Sequence, residues 1–67
     1  MEAYQQRVMD EAKELNVKLT KLTAFLDTPV FRSLEVSEQV RLRMQHYFMS
    51  GYASVLGERI DAFHLTA

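Results

Sequence analysis

Six apolar residues near the start of the chain follow each other at intervals that alternate between four and three residues. They are Val8, Ala12, Leu15, Leu19, Leu22 and Leu26. This spacing places all six on one face of a helix and is typical of a seam that packs against another helix. Because the whole chain has only 67 residues, little else can cover the seam, and it restricts the fold to a helical hairpin, an assembly of chains, or both.

The rest of the sequence predicts a second long helix, with a short helical turn between the two. Proline suits the first position of a helix, so Pro29 with Thr28 as its cap predicts one turn that brings Val30, Phe31 and Leu34 back onto the hairpin. An irregular loop with the same apolar anchors is the alternative. Ser37 is the expected N-cap of the second long helix. We therefore predict an all-α single domain, an antiparallel helical hairpin. The first long helix is expected over residues 2–26, the short turn over 29–34 and the second long helix over 38–63.

Apolar residues on the second helix fall on two neighbouring lines, which is more than one partner helix can cover. The line expected to face the first helix contains Gln45, which makes this residue a candidate buried polar group. The second line is left without a partner and predicts a homo-oligomer, a dimer or larger. The expected interface consists of Met44, Phe48, Ser50, Gly51, Ser54, Val55 and Gly57.

The two glycines in the second helix need a reason, because each costs about 1 kcal/mol relative to alanine in a helix interior. Close approach of another helix to the small residues Ser50, Ser54 and Gly57 is one explanation. The alternative is a cleft that receives a flat ligand such as a nucleobase, with Tyr47 or Tyr52 available for stacking.

Composition excludes several kinds of protein. The absence of cysteine excludes disulfides and thiolate zinc sites, and no cofactor or metal is expected. A net charge of −1 disfavours general binding to duplex DNA. No apolar stretch is long enough to span a bilayer, no signal peptide is visible, and we expect a cytoplasmic protein. No catalytic arrangement of side chains can be drawn, so the chain is not expected to be an enzyme.

Several polar residues could form a ligand-binding surface. Arg43 and His46 share a face of the second helix and could hold a phosphate or an acidic patch of a partner, although a solvated helix face is the simpler interpretation. In an antiparallel hairpin, the start of the first helix lies beside the end of the second. Basic groups there could bind an anion or be neutralised by nearby carboxylates. The candidate ligand-binding residues are Tyr4, Arg7, Lys13, Arg43, His46, Tyr52 and Arg59.

Residues 4–15, 18–26 and 31–34, with further markers up to residue 60, resemble a family of small tailed-phage and prophage proteins that are labelled as related to a crAss-like phage protein. This resemblance implies a phage accessory protein that acts in the host bacterial cytoplasm in host takeover or counter-defence. A weaker resemblance, carried by residues 9–13 and by Gly51 and Tyr52, is to helical-hairpin phage sponges that oligomerise and sequester cyclic nucleotides. It implies that Lys13 contacts a phosphate.

Two functions follow as hypotheses. The first is a non-enzymatic binding protein that sequesters a host nucleotide signal between associated hairpins. The alternative is a protein–protein inhibitor or scaffold that docks its apolar helix face on a host defence protein or on another phage protein.

Overall fold

The computed structural model describes residues 1–65 and the side chains of residues 1–63. Helix α1 spans Ala3–Leu26, α2 spans Pro29–Ser33 and α3 spans Val36–Asp61, and a 3-10 turn follows over Ala62–Leu65. Helices α1 and α3 lie side by side in opposite directions, within an elongated molecule of 49 × 15 × 14 Å. The prediction of an all-helical chain is confirmed for the described residues, and their arrangement is that of a hairpin. None of these helices is long and apolar enough to cross a bilayer.

The hydrophobic core is small and lies where the first half of the seam meets α3. Val8, Ala12 and Leu15 are buried against Leu56, which is only 1% exposed. The last three leucines of the seam are half-buried. The core cluster is completed by half-buried residues of α3 and the 3-10 turn, namely Met49, Ala53, Ile60 and Phe63.

The connection closes the other end of the hairpin. The hydroxyl of Thr28 accepts a hydrogen bond from the backbone N–H of Phe31 at 3.2 Å, as expected of a cap. Phe31 is buried and meets the ring of Phe25 edge to face, with 6.1 Å between centroids. Val30, which was expected to pack back with it, is 60% exposed. A helix of five residues has one inward position, and Phe31 occupies it.

Helix α3 begins earlier than the sequence predicts. Its N-cap is Glu35 rather than Ser37, because the extended backbone of Leu34 ends α2 and the next helix follows at once. The side-chain amide of Gln39 donates to the Leu34 carbonyl at 2.8 Å and to the Arg32 carbonyl at 3.2 Å. These bonds satisfy carbonyls at the end of α2 and hold the two helices at this corner.

The face of α3 that meets α1 also differs from the prediction. Gln45 is exposed rather than buried, and Tyr52 is 44% exposed. A straight helix has 3.6 residues per turn, so its inward residues follow each other at intervals of four and three residues. The observed inward line passes through His46 and Ala53 instead of Gln45 and Tyr52. That line consists of Leu42, His46, Met49, Ala53, Leu56 and Ile60, all buried or half-buried.

Candidate functional site

A groove of about 630 Å³ runs along one side of α1 and reaches the end of α3. It is open to solvent along its length, and apolar side chains alternate with polar ones around it. The apolar residues are Met9, Ala12, Val17 and Ile60, and the polar residues are Lys13, Asn16, Thr20 and Lys21.

Helical spacing brings these side chains to one side of the hairpin. Met9, Lys13, Asn16 and Thr20 follow each other at intervals of four, three and four residues, so they form a line on α1 directly beside the buried seam. No glycine or proline interrupts α1 between residues 3 and 26, and the line stays in register. It therefore borders the cleft between α1 and α3 along about three helical turns.

The same line identifies the side of α3 that borders the groove. Three residues beyond Thr20, the hydroxyl of Thr23 lies 2.9 Å from Nε2 of His46 across the hairpin. On α3, Ser50 and Gly57 lie on the face of His46, one turn and three turns further on. A Cβ built at Gly57 would meet nothing within 4 Å. Among the described residues, the α3 side chain that lines the groove is Ile60.

The groove is basic although the chain has a net charge of −1. Two lysines, Lys13 and Lys21, line it and no carboxylate does. Neither ammonium group takes part in an ion pair among the described residues, where the ion pair present joins Arg41 and Glu38 at 2.8 Å. Lys21 follows Lys13 by eight positions, which corresponds to about 12 Å along the helix.

The neighbouring face of α1 has a different charge. There the same two lysines, together with Lys18, share a second depression of about 550 Å³ with Asp10 and Glu14. An anion would therefore meet both signs of charge on this face, whereas in the groove it would meet lysines, an amide and a hydroxyl. The groove can accept phosphate oxygens at its lysines while an apolar ring or sugar lies over its apolar residues.

The candidate ligand-binding residues are spread over the length of the molecule. Tyr4 lies at the end that contains the termini, with its ring edge to face with Phe63 at 6.0 Å. The guanidinium of Arg43 lies near the other end, 5.0 Å from the ring centroid of Phe31. Arg43 and Arg59 are about 24 Å apart along α3. A single chain does not collect these residues into one pocket.

The remaining candidates differ in their surroundings. Lys13 lines the groove, and His46 is half-buried with its ring against Thr23. Tyr52 lies on the part of α3 that faces away from the groove, while Arg7 and Arg59 are exposed. The ligand role of these residues stays a prediction.

Sequence reasoning did not single out most of the residues that line the groove. Asn16, Thr20, Lys21, Met9, Val17 and Ile60 are lining residues that were not candidates. The signal that could have found them is the line with four- and three-residue spacing beside the seam. That line contains an apolar residue, a lysine, an amide and a hydroxyl, namely Met9, Lys13, Asn16 and Thr20, and no carboxylate.

The expected oligomer interface falls on two faces of α3. Met44, Phe48, Gly51, Ser54 and Val55 are exposed on the side away from α1. Ser50 and Gly57 are half-buried and lie toward the groove side. Near the middle of the outward side, a shallow groove of about 570 Å³ lies between Tyr47, Phe48, Ser50, Gly51, Tyr52 and Val55.

Comparison with known proteins identifies a family of small phage proteins. A protein of Enterobacteria phage T4, described as an uncharacterized 7.5 kDa protein in the denB-rIIB intergenic region, is 38% identical over 63 residues, which cover 94% of this chain and 98% of that protein. No solved structure matches the chain. The family model named Sequestin matches residues 2–62, a range that includes the whole groove. The chain belongs to the Sequestin family.

Proposed function

We propose that this chain is a non-enzymatic phage protein that sequesters a phosphorylated nucleotide signal of the host as a means of counter-defence. The observation that carries the proposal is the groove beside the seam, in which two lysines without ion-pair partners in the described structure flank an apolar surface and no carboxylate is present. The family name points to a protein that sequesters a partner. The lysines of the groove favour a partner that carries negative charge.

Each part of a nucleotide has a counterpart in the groove. Phosphate oxygens would accept hydrogen bonds from the ammonium groups of Lys13 and Lys21, where charge assistance makes each bond stronger than a neutral one. Asn16 and Thr20 lie between the lysines and offer hydrogen bonds to ribose hydroxyls or base edges. The base would pack on aliphatic side chains such as Val17 and Ile60, because no aromatic residue lines the groove.

The spacing of the lysines favours a ligand with more than one phosphate. About 12 Å of helix separates them, and both side chains are long and flexible, so they can reach phosphates on opposite sides of a cyclic di- or trinucleotide. The lining contains no histidine, carboxylate or thiol that could serve as a base or nucleophile. We therefore propose that the ligand is held and released unchanged.

Self-association, which the sequence predicts, remains part of this proposal, because a second hairpin beside the groove would enclose a ligand more fully than one chain does. Docking of the apolar face of α3 on another protein is the second candidate function. The observation that favours it is the exposure of Met44, Tyr47 and Phe48, which are 52%, 71% and 64% exposed.

The proposal is tested by measuring nucleotide binding with variants matched in charge. Cyclic di- and trinucleotides are titrated calorimetrically into the wild type, Lys13→Gln, Lys21→Gln and Lys18→Gln. Lys18 lies on the same helix but outside the groove, so Lys18→Gln removes the same charge without touching the proposed site. We expect at least one nucleotide to bind, with affinity reduced about tenfold by either groove variant, as for loss of one charged hydrogen bond.

The control variant should bind within about twofold of the wild type, and the recovered nucleotide should be chemically intact. Absence of heat and of any rise in melting temperature with every nucleotide at millimolar concentration would contradict the proposal, since a ligand that binds only the folded state must stabilise it. An equal loss in Lys18→Gln would show that affinity follows net charge rather than the groove.

A further inference from the structure

The side of α3 that faces away from α1 carries a continuous apolar surface with no partner in its own chain. We name it the outer stripe, and it consists of Val40, Met44, Tyr47, Phe48, Gly51 and Val55. Successive members are mostly three or four residues apart, so they form one face of the helix over about 22 Å. The side chains other than the glycine are between 49% and 71% exposed. A surface of this kind on a small soluble protein marks an interaction site.

Gly51 lies in the middle of the outer stripe, and the hairpin itself gives no reason for a glycine there. A Cβ at this position would meet nothing within 4 Å, and the backbone has no positive φ angle that would require glycine. Alanine would favour the helix by about 1 kcal/mol. With Tyr47, Phe48 and Val55 around it, Gly51 leaves a notch in the stripe that an approaching side chain can fill.

We infer that the outer stripe is covered by the outer stripe of a second copy of this chain, with the two α3 helices antiparallel. The two-fold axis passes close to Phe48 and Gly51, so that aromatic rings from each copy enter the Gly51 notch of the other. A two-fold contact of this type uses one self-complementary patch twice. The stripe meets that requirement, because it carries both the protruding rings and the notch.

Charge favours an identical partner over an unrelated one. No charged residue belongs to the stripe, and Arg41 and Arg43, which lie beside its first half, have contacts within their own chain. Arg41 is paired with Glu38 at 2.8 Å, and the guanidinium of Arg43 lies over the ring of Phe31. A neutral face can meet a copy of itself without bringing like charges together, and like charges in contact would cost several kcal/mol.

The available area is close to what a stable dimer needs. With aromatic side chains of about 150–250 Å² each and smaller aliphatic ones, the exposed fractions of the stripe amount to roughly 700 Å² per chain. A stable interface buries about 800 Å² per partner, which the flanking Tyr52 and Ser54 would supply. Because the stripe and the groove lie on different sides of the hairpin, a dimer formed this way leaves Lys13 and Lys21 accessible.

This contact is distinct from a second hairpin beside the groove, because the stripe lies on another side of the molecule. It does not depend on the ligand and is tested with nucleotide-free protein. Sedimentation equilibrium of the wild type should give twice the mass of one chain at tens of micromolar. Phe48→Glu should raise the dissociation constant at least tenfold, and Met44→Glu should do the same. Val30→Glu is the control. Val30 is 60% exposed, similar to the 64% of Phe48, but it lies on α2 and outside the outer stripe.

Circular dichroism at low concentration should show equal helix content in all these variants, because the substituted side chains are exposed in the single hairpin. A wild type that remains a monomer at all concentrations would overturn the inference and leave the stripe for a different protein. A dimer that both stripe variants leave intact would overturn it as well, since another face would then hold the copies together.

The antiparallel arrangement is tested by single cysteines, which the chain itself lacks. Gly51→Cys lies near the axis and should form a disulfide between copies under mild oxidation, because two cysteines need Cα atoms within about 7 Å. Val36→Cys lies about 20 Å from the axis and should not. Cross-linking of both variants would show parallel helices, and cross-linking of neither would place the axis elsewhere; either result contradicts the proposed geometry.

Discussion

The two long helices differ in how their apolar residues are arranged. Helix α1 is amphipathic, with a single seam that packs on α3 and a mainly polar surface elsewhere, which Met9 and Val17 interrupt at the groove. Helix α3 is apolar on two opposite sides, with Leu56 and Ile60 toward α1 and Met44 and Phe48 toward solvent. A helix that is apolar all round is normally covered all round. The contrast agrees with the proposed division of roles, in which α1 provides the ligand surface and α3 contacts α1 on one side and a second copy on the other.

The largest expected effect separates the two sides of α3 at adjacent residues. Leu56→Ala removes a side chain that is 1% exposed and should destabilise the fold by about 2–5 kcal/mol. Val55→Ala, at low micromolar concentration where copies are separate, should change stability by about 0.5 kcal/mol or less. Urea denaturation of both variants measures this difference. Similar losses at low concentration would break the distinction between an inner and an outer side.

The glycines provide a smaller and sharper test. A Cβ at Gly51 or Gly57 has open space in the single hairpin, so either Gly→Ala variant should stabilise dilute protein by up to about 1 kcal/mol. At high concentration only Gly57→Ala should keep this gain, because Gly51 lies within the proposed contact between copies. Thermal melting at two concentrations measures both effects. Equal gains for the two variants at high concentration would argue against a contact at Gly51.

The smallest expected effect concerns Arg43, which the sequence offered as a ligand residue. Its guanidinium lies 5.0 Å from the ring centroid of Phe31, and an exposed cation–π contact is worth about 0.5–1 kcal/mol. Arg43→Gln should therefore lower stability by about 0.5 kcal/mol and leave nucleotide affinity unchanged. Calorimetry and urea denaturation of the same variant test the two parts. A tenfold loss of affinity would restore Arg43 as a ligand residue.

Much of the architecture could be predicted because local signals are strong. The seam from Val8 to Leu26, the absence of helix breakers in α1, and Thr28 before Pro29 each have a direct physical meaning, and the structure contains the helices and the cap that they predict. The inward side of α3 could not be predicted in the same way. Because both of its sides are apolar, a line through Gln45 and Tyr52 fitted the sequence as well as the line that packs.

The candidate site was harder to predict than the helices. Lys13 could be named in advance, but Thr20 and Lys21 acquire meaning only when the seam fixes which flank of α1 lies beside the cleft. Tyr4 and Arg43 attract attention in the sequence as an aromatic and a basic residue. In the structure each contacts a phenylalanine, one at either end of the hairpin.

The central claim is that α3 is covered on both of its apolar sides, and the concentration dependence of the melting temperature tests it most directly. Unfolding of a dimer is opposed by mass action, so a hundredfold increase in protein concentration should raise the melting temperature by about 5–10 °C. Phe48→Glu should abolish this dependence, and Val30→Glu should preserve it. The comparison is made at about 2 and about 200 μM protein, a hundredfold range. A wild-type melting temperature that is the same at both concentrations would contradict the claim.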